Sequence, residues 1–286
     1  MNWSNALRTE ISRLAEEYAG QSPEPIEFYR SRAETAPVIL FPGQCKDGRH
    51  GNFHPDSYEN ILNHEDWGER LLKPHSQKRR LPEKYREDAK ELDSCNSSDA
   101  LLMNVFCHPA SRNNKKLAGL FGLESLKEIE FGWSPGVKKN GEGDHTEIDL
   151  RLSGTTASGS GERIVLIEAK LSESDFTNKA TEVVESYDSL KTVFDTALLP
   201  KKGNSYESYQ LIRNVLAAHE KKTHFFLLCD LRRPDLLQAW WKVYGAIRSR
   251  DIRSRCGFRT WQEVAAVSSP GLRDFLKDKY GICTQR

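Results

Sequence analysis

The sequence predicts an α/β fold: a central mixed sheet, built from an antiparallel three-stranded meander plus one later strand, flanked by helices. Three observations predict it. The middle of the 286-residue chain holds three β-type runs, LKEIEFGW (126–133), HTEIDLRL (145–152) and RIVLIEAKL (163–171). The segments between them, SPGVKKNGEGD and GTTASGSGE, are saturated with turn formers and short enough to favour antiparallel neighbours. A helical stretch then precedes the apolar run HFFLLCDL (224–231), and a helical crossover delivers a strand parallel to its neighbour.

Each element has its own justification. Residues 2–19 read as an amphipathic helix, with Leu7, Ile11, Leu14, Ala15 and Tyr18 on one face. Residues 36–95 are rich in Gly, Pro, His, Asn and Asp, and FPGQCKDGRHGNFHPDSYENI reads as an irregular loop leading into a short helix. NSSDALLMNVF supplies a Ser or Asp cap and then an apolar helix over about 98–107, followed by a second helix over 112–121. After the meander the sequence predicts a helix over 174–198, a stronger one over 206–222, the strand 224–231, and a helical tail over 234–280 broken near Pro270. The regions are then 1–95 (helix and irregular insertion), 96–235 (the core) and 236–286 (helical extension), expected to pack as one unit.

Bulk properties exclude several classes. Charged residues make up 29% and hydrophobic ones 37%, as in ordinary globular proteins, and the net charge is +1. The six cysteines form no C-x-x-C pair, and Cys107 and Cys229 lie in apolar runs that predict buried thiols. Acids interrupt the N-terminal apolar residues, so no secretory signal is expected, and no stretch reaches the roughly 20 apolar residues of a membrane span. A cytoplasmic location is the expectation. Basic clusters occur at 73–80, 113–116, 136–140, 231–234 and 248–259. They read as solvated surface unless a catalytic site gives them something to surround.

The chemistry concentrates in the meander. Strand alternation puts Glu147, Asp149 and Arg151 on one face, opposite Ile148, Leu150 and Leu152. In the next strand Ile164, Leu166, Glu168 and Lys170 share a face, and the strand is apolar on both sides until Glu168. The hairpin brings Asp149 toward Glu168, a pair of hard oxygen ligands suited to Mg²⁺. Lys170 stands about 7 Å farther along the same face. A structural ion pair between Glu168 and Lys170 is the bland alternative, but burying such charges without a metal would cost several kcal/mol.

These residues, Asp149 in TEID and Glu168-Ala169-Lys170 in IVLIEAK, resemble the PD-(D/E)XK nuclease superfamily with its restriction-endonuclease-like fold. The resemblance covers about 98–231. It implies that Asp149 and Glu168 bind Mg²⁺, with Mn²⁺ as a substitute, and that Lys170 helps to activate water. It also implies an acidic residue on the helix before the meander, where this sequence offers only Asp99 and Asn104; Glu130, beside Glu128 on the first strand, is the other candidate ligand. A Gln or Tyr on a later helix matches Gln210 in SYESYQLIRNVLAA, with Tyr206, Arg213 and Asn214 extending a polar stripe. SSDAL and YQLIRN further resemble a prokaryotic restriction-endonuclease-like subgroup.

The function that the resemblance implies is a Mg²⁺-dependent DNA endonuclease, with RNA left open as substrate and a homodimer suited to cutting both strands. Lys138, Lys139, Arg213, Arg232 and Arg233 are then candidate phosphate contacts. The alternatives are a nuclease-fold DNA-binding protein without catalysis and a protein-interaction domain whose charges form structural ion pairs. Two weaker signals remain. Cys45, His50 and His54 lie close in sequence as a zinc candidate, without the spacing of a regular finger. Trp240, Trp241 and Tyr244 are expected to pack as core on a helix, although with Arg232 and Arg233 they could touch nucleic acid.

Overall fold

A computed structural model of the chain describes residues 2–23, 25–31, 36–45, 47–75, 81, 83–156 and 161–284. Residues 76–80 of the basic run 73–80, and 157–160 of the loop after the second strand, lie outside the described residues. In chain order the main elements are helices α1 (Trp3–Gly20), α2 (Pro55–Leu62) and α3 (Ser98–Phe106), then strands β1 (Ser125–Trp133), β2 (Ile148–Thr155) and β3 (Glu162–Ala169). Helix α4 (Tyr209–Glu220), strand β4 (His224–Cys229), helices α5 (Pro234–Gly245) and α6 (Arg250–Arg255), strand β5 (Cys256–Thr260) and helices α7 (Trp261–Val267) and α8 (Pro270–Tyr280) complete it.

The chain divides into two compact units that interleave in sequence. One comprises 1–117, 171–173 and 261–286, the other 118–170 and 174–260.

The first unit is helical. Leu7, Ile11 and Ala15 of α1 are buried, and Tyr18 meets Phe275 of α8 edge-on at 5.6 Å. Ser97 caps α3 by accepting the Ala100 N–H at 3.2 Å, and every residue from Ala100 to Phe106 is buried. The irregular 36–95 segment is held by polar side chains acting on backbone. The Asn52 amide donates to Leu92 O (2.5 Å) and Ser94 O (2.8 Å), which ties the loop at 52 to the backbone of 92–94.

The second unit contains a five-stranded sheet in the order β5-β4-β3-β2-β1. β1, β2 and β3 form the antiparallel meander, and β4 runs parallel to β3, as the helical crossover requires. β3 is the central strand and is buried from Val165 to Ala169. Leu166, Phe225 and Leu227 pack in one cluster with Leu211, Ile212 and Val215 of α4. Burial of Leu166 removes apolar surface worth about 2 kcal/mol from water.

The structure departs from the sequence expectation at several places. A fifth strand, β5, lies parallel to β4 inside the tail expected to be helical. Its five residues, CGFRT, mix the β-formers Phe258 and Thr260 with Gly257 and Arg259, and backbone pairing with β4 decides their conformation. The helix expected over 174–198 is reduced to two short turns, Thr181–Glu185 and Leu190–Val193. Its Ser, Asp, Thr and Asn residues compete for backbone bonds, and Val183 and Val184 are β-branched. The connection before β2 folds into its own hairpin, Val137–Lys139 with Glu142–Asp144. Asn140 and Gly141 turn it with φ of 48° and 81°, the left-handed pair that an Asn-Gly turn supplies. Finally β2 runs on to Thr155, where Gly154 is obligatory: a Cβ there would sit 2.0 Å from Ser125 O.

Of the aromatics on α5, Trp240 is fully buried while Trp241 is half exposed, so only one of the pair is core. Cys107 and Cys229 are both buried. No helix among the described residues is long and apolar enough to cross a membrane.

Candidate active site

β2 and β3 position the acidic pair. Their register pairs Leu150 with Ile167, so one step further along Asp149 stands opposite Glu168. Asp149 Oδ2 accepts the Ala169 N–H at 2.8 Å, which pins a half-buried carboxylate against the β3 backbone. Glu168 is 1% exposed. The Lys170 ammonium lies 2.9 Å from its Oε1, and Lys170 is itself buried, with its ammonium 5.8 Å from the centre of the Phe176 ring. The Lys170 N–H donates to Leu228 O at 2.8 Å, so the ladder to β4 holds one side of the E-x-K backbone and the Asp149 carboxylate the other.

Helix α4 completes the site. Asn214 is fully buried and its Nδ2 donates to Glu168 Oε2 at 2.7 Å. Arg213 fixes which way that amide faces. Its Nε and Nη2 donate to Asn214 Oδ1 at 3.1 and 2.8 Å, and Nη2 also donates to Glu147 O at 2.8 Å. With the carbonyl end of the amide held by a guanidinium, only the NH₂ end is left for the carboxylate. The expected polar stripe on α4 is therefore real but not solvated. Gln210 is half-buried one helical turn before Asn214, on the same stripe, and no hydrogen bond holds its amide among the described residues.

The Glu168 carboxylate also provides a test of metal fit. Oε1 is buried and makes no hydrogen bond; the Lys170 ion pair lacks the alignment of one. A buried carboxylate oxygen whose ammonium neighbour is not aligned to donate, on the strand next to an anchored Asp149, leaves a position that an oxygen-ligated divalent cation would fill. Asp149 and Glu168 are the residues that could hold it.

The other expected residues are placed differently. Glu130 is exposed, and its carboxylate pairs with Arg151 at 3.1 Å, which also takes Glu128 at 3.2 Å. In the first unit, Asp99 is bound by Arg70 (2.9 Å) and Lys73 (3.2 Å). Asn104 accepts the His54 N–H at 2.6 Å and donates to Asn52 O and Ala100 O, so both ends of its amide are spent on the fold. Among the phosphate contacts expected, Arg213 and Arg233 are buried. Arg233 is spent on Asp235 (2.7 Å) and Ser174 O, and Arg232 grips the buried Asp230 at 2.7 Å. Lys138 is exposed on the small hairpin and Lys139 half-buried beside it.

The residues of the zinc candidate have separate partners. His50 pairs with Asp93 at 3.4 Å, and His54 gathers instead with Asp56 and His108. Both His54 and His108 precede a proline and cap a helix, accepting the N–H of the second helical residue on Nδ1 at 3.3 and 3.1 Å. Neutral rings capped in that way carry their proton on Nε2, so His108 presents a donor rather than a lone pair to Asp56, 3.7 Å away. The cluster is a pair of helix caps with a shared carboxylate. The repeated His-Pro dipeptide is the sequence signal that marks it.

A five-stranded mixed sheet with an antiparallel meander, whose central strand ends in E-x-K, defines the restriction-endonuclease-like class. The family model described as restriction endonuclease associating with ARP matches residues 26–281. The chain belongs to that family, one of restriction-endonuclease-like nucleases. No curated protein and no solved structure matches it.

Proposed function

We propose that this chain is a divalent-metal-dependent DNA endonuclease whose active site is Asp149, Glu168 and Lys170, with Gln210 assisting. The observation that carries the proposal is the buried Glu168, held by Asn214 on one oxygen and facing the Lys170 ammonium with the other. A fold stabilised by this strand alone would gain more from an apolar residue at 168 than from a buried ion pair.

When bound, Mg²⁺ or Mn²⁺ supplies Lewis-acid polarisation of the scissile phosphate and a more acidic water. Asp149 and Glu168 hold the cation. Lys170 orients the attacking water by hydrogen bonding and offsets the charge that builds on the phosphoryl oxygens. Arg213 and Asn214 keep Glu168 in one rotamer. Lys138 and Lys139 contact phosphates without reading sequence. The family description couples these nucleases to ARP, and the same association is proposed here.

The test is nicking of supercoiled plasmid in Mg²⁺ or Mn²⁺. Asp149→Asn keeps an acceptor for the Ala169 N–H and so preserves the fold, while Lys170→Gln removes the charge. Each variant is expected to lose about 10²–10³-fold in rate or more. If folded wild-type protein is inert on both duplex and single-stranded DNA, and its melting temperature ignores Mg²⁺ and Mn²⁺, Glu168 and Lys170 form a structural ion pair and the proposal fails.

A further inference from the structure

At the other end of β3, where the chain enters the strand, a cavity of about 330 Å³ has a lining that includes Glu162, Arg163, Ile164, Lys221, Lys222, Thr223 and His224. Arg163 and Glu168 are five residues apart, about 16 Å along the strand, so this cavity is separate from the candidate active site.

Its charge is unbalanced. Arg163, Lys221 and Lys222 face one carboxylate, Glu162, leaving two positive charges over. No ion pair holds Lys221 or Lys222 among the described residues. Arg255, nearby, is matched by Asp251 at 2.7 Å and adds nothing to the excess. The C-terminus of α4 ends here, and its carbonyls would ordinarily repel an anion. They are already taken: Ala217 O by Lys221 N–H, Ala218 O by Thr223 N–H and Arg255, and His219 O by Lys222 N–H.

The second observation is a pair of orphaned polar atoms. Thr223 is 3% exposed, and neither its hydroxyl nor His224 Nδ1 has a hydrogen-bond partner. An unsatisfied buried hydroxyl is destabilising, and a ligand accepting from it would relieve that. His224 carries no charge near neutrality, since burial and then the Arg163 and Arg255 charges push it down to about 4. It therefore contributes a hydrogen-bonding atom without adding to the charge.

We infer that this cavity is a second ligand site, one that binds a phosphoryl group. Two excess positive charges match a phosphate dianion, whereas a carboxylate would leave one unmatched. Arg163 keeps donors beyond the Nη1–Gly122 O bond (2.8 Å), and Thr223 supplies a hydroxyl. The volume exceeds that of the bare anion, and half-buried Ile164 offers an apolar wall for a substituent. The inference does not rest on the nuclease reading, because no residue of the candidate active site lines the cavity.

The test is acetylation of the full chain, read residue by residue by mass spectrometry, with inorganic phosphate or with a short DNA duplex as protectant. Protection of Lys221 and Lys222 by inorganic phosphate assigns a free phosphorylated ligand. Protection by duplex alone, whose phosphodiesters carry one charge each, overturns the inference, and so does protection by neither. Calorimetry gives the second readout, run with the bound species found above. Lys222→Asn, which keeps the left-handed backbone at φ 54°, is expected to weaken binding about tenfold, and Thr223→Val similarly. Unchanged affinity in Thr223→Val would reduce the site to diffuse surface charge and overturn it. Asp149→Asn should bind phosphate as the wild type does.

Discussion

At the scale of single residues, the chain Glu147 O, Arg213, Asn214, Glu168 is the part of the site most open to measurement. Asn214→Ala removes the donor to Glu168 Oε2 and takes away the acceptor of the Arg213 guanidinium, without touching metal or substrate directly. Its expected effect is a loss of about 10–100-fold in Mn²⁺ affinity, the usual consequence of removing a residue that orients a ligand. Titration of Mn²⁺ by electron paramagnetic resonance checks it apart from activity, and Asn214→Asp, which sets two carboxylates together, should bind Mn²⁺ no better than Asn214→Ala. Unchanged Mn²⁺ affinity in Asn214→Ala would show that Glu168 is positioned by its strand alone.

At the scale of elements, β2 and β3 carry the site because their backbone is fixed on both edges. The fixed point farthest from the acidic pair is Gly154, where β1 and β2 approach too closely for a side chain. Gly154→Ala must push Ser125 O aside and is expected to cost about 1–3 kcal/mol in urea unfolding. Gly161→Ala, with open space around it, should stay within about 0.5 kcal/mol of wild type. Equal costs would mean that the β1–β2 pairing yields freely. The meander was legible from sequence because alternation and turn formers act within a few residues. β5 was not, since its pairing with β4 is separated from its sequence by two helices. Helix α4 and its polar stripe were legible, but that Asn214 is the member reaching Glu168, with Arg213 orienting it, shows only in the fold.

At the scale of the whole molecule, stability as a function of pH tests an unusual burial. Lys279 of α8 is fully buried, donates to Gly51 O at 2.8 Å and lies 4.2 Å from the centre of the Phe41 ring. Burial, slightly opposed by the Cys95 thiol, lowers its pKa from 10.5 to about 7. Above pH 7 the unfolded chain keeps a proton that the folded one gives up, so stability should rise with pH. Above about 8.5 the buried thiols Cys95, Cys107 and Cys256, all pushed up by burial, act in the opposite sense because only the unfolded chain ionises them. The expected rise is thus confined to pH 7–8.5, and Lys279→Met should flatten it. Chemical denaturation at stepped pH measures both, and an identical slope in the variant would refute the assignment.

What the sequence by itself determined is the class of fold and the E-x-K strand with its Asp149 partner, because strand period, turn chemistry and an apolar run ending in charge are local properties. Which side chains surround that strand was decided only by tertiary structure. Asp99, Asn104 and Glu130 were equal candidates on paper, yet each is bound by a residue distant in sequence: Arg70, His54 and Arg151. Asn214 reaches Glu168 across 46 positions. Hydrogen bonds and ion pairs of that span depend on how helices settle on the sheet, and the pattern of apolar residues that drives the packing does not name the polar partners it brings together.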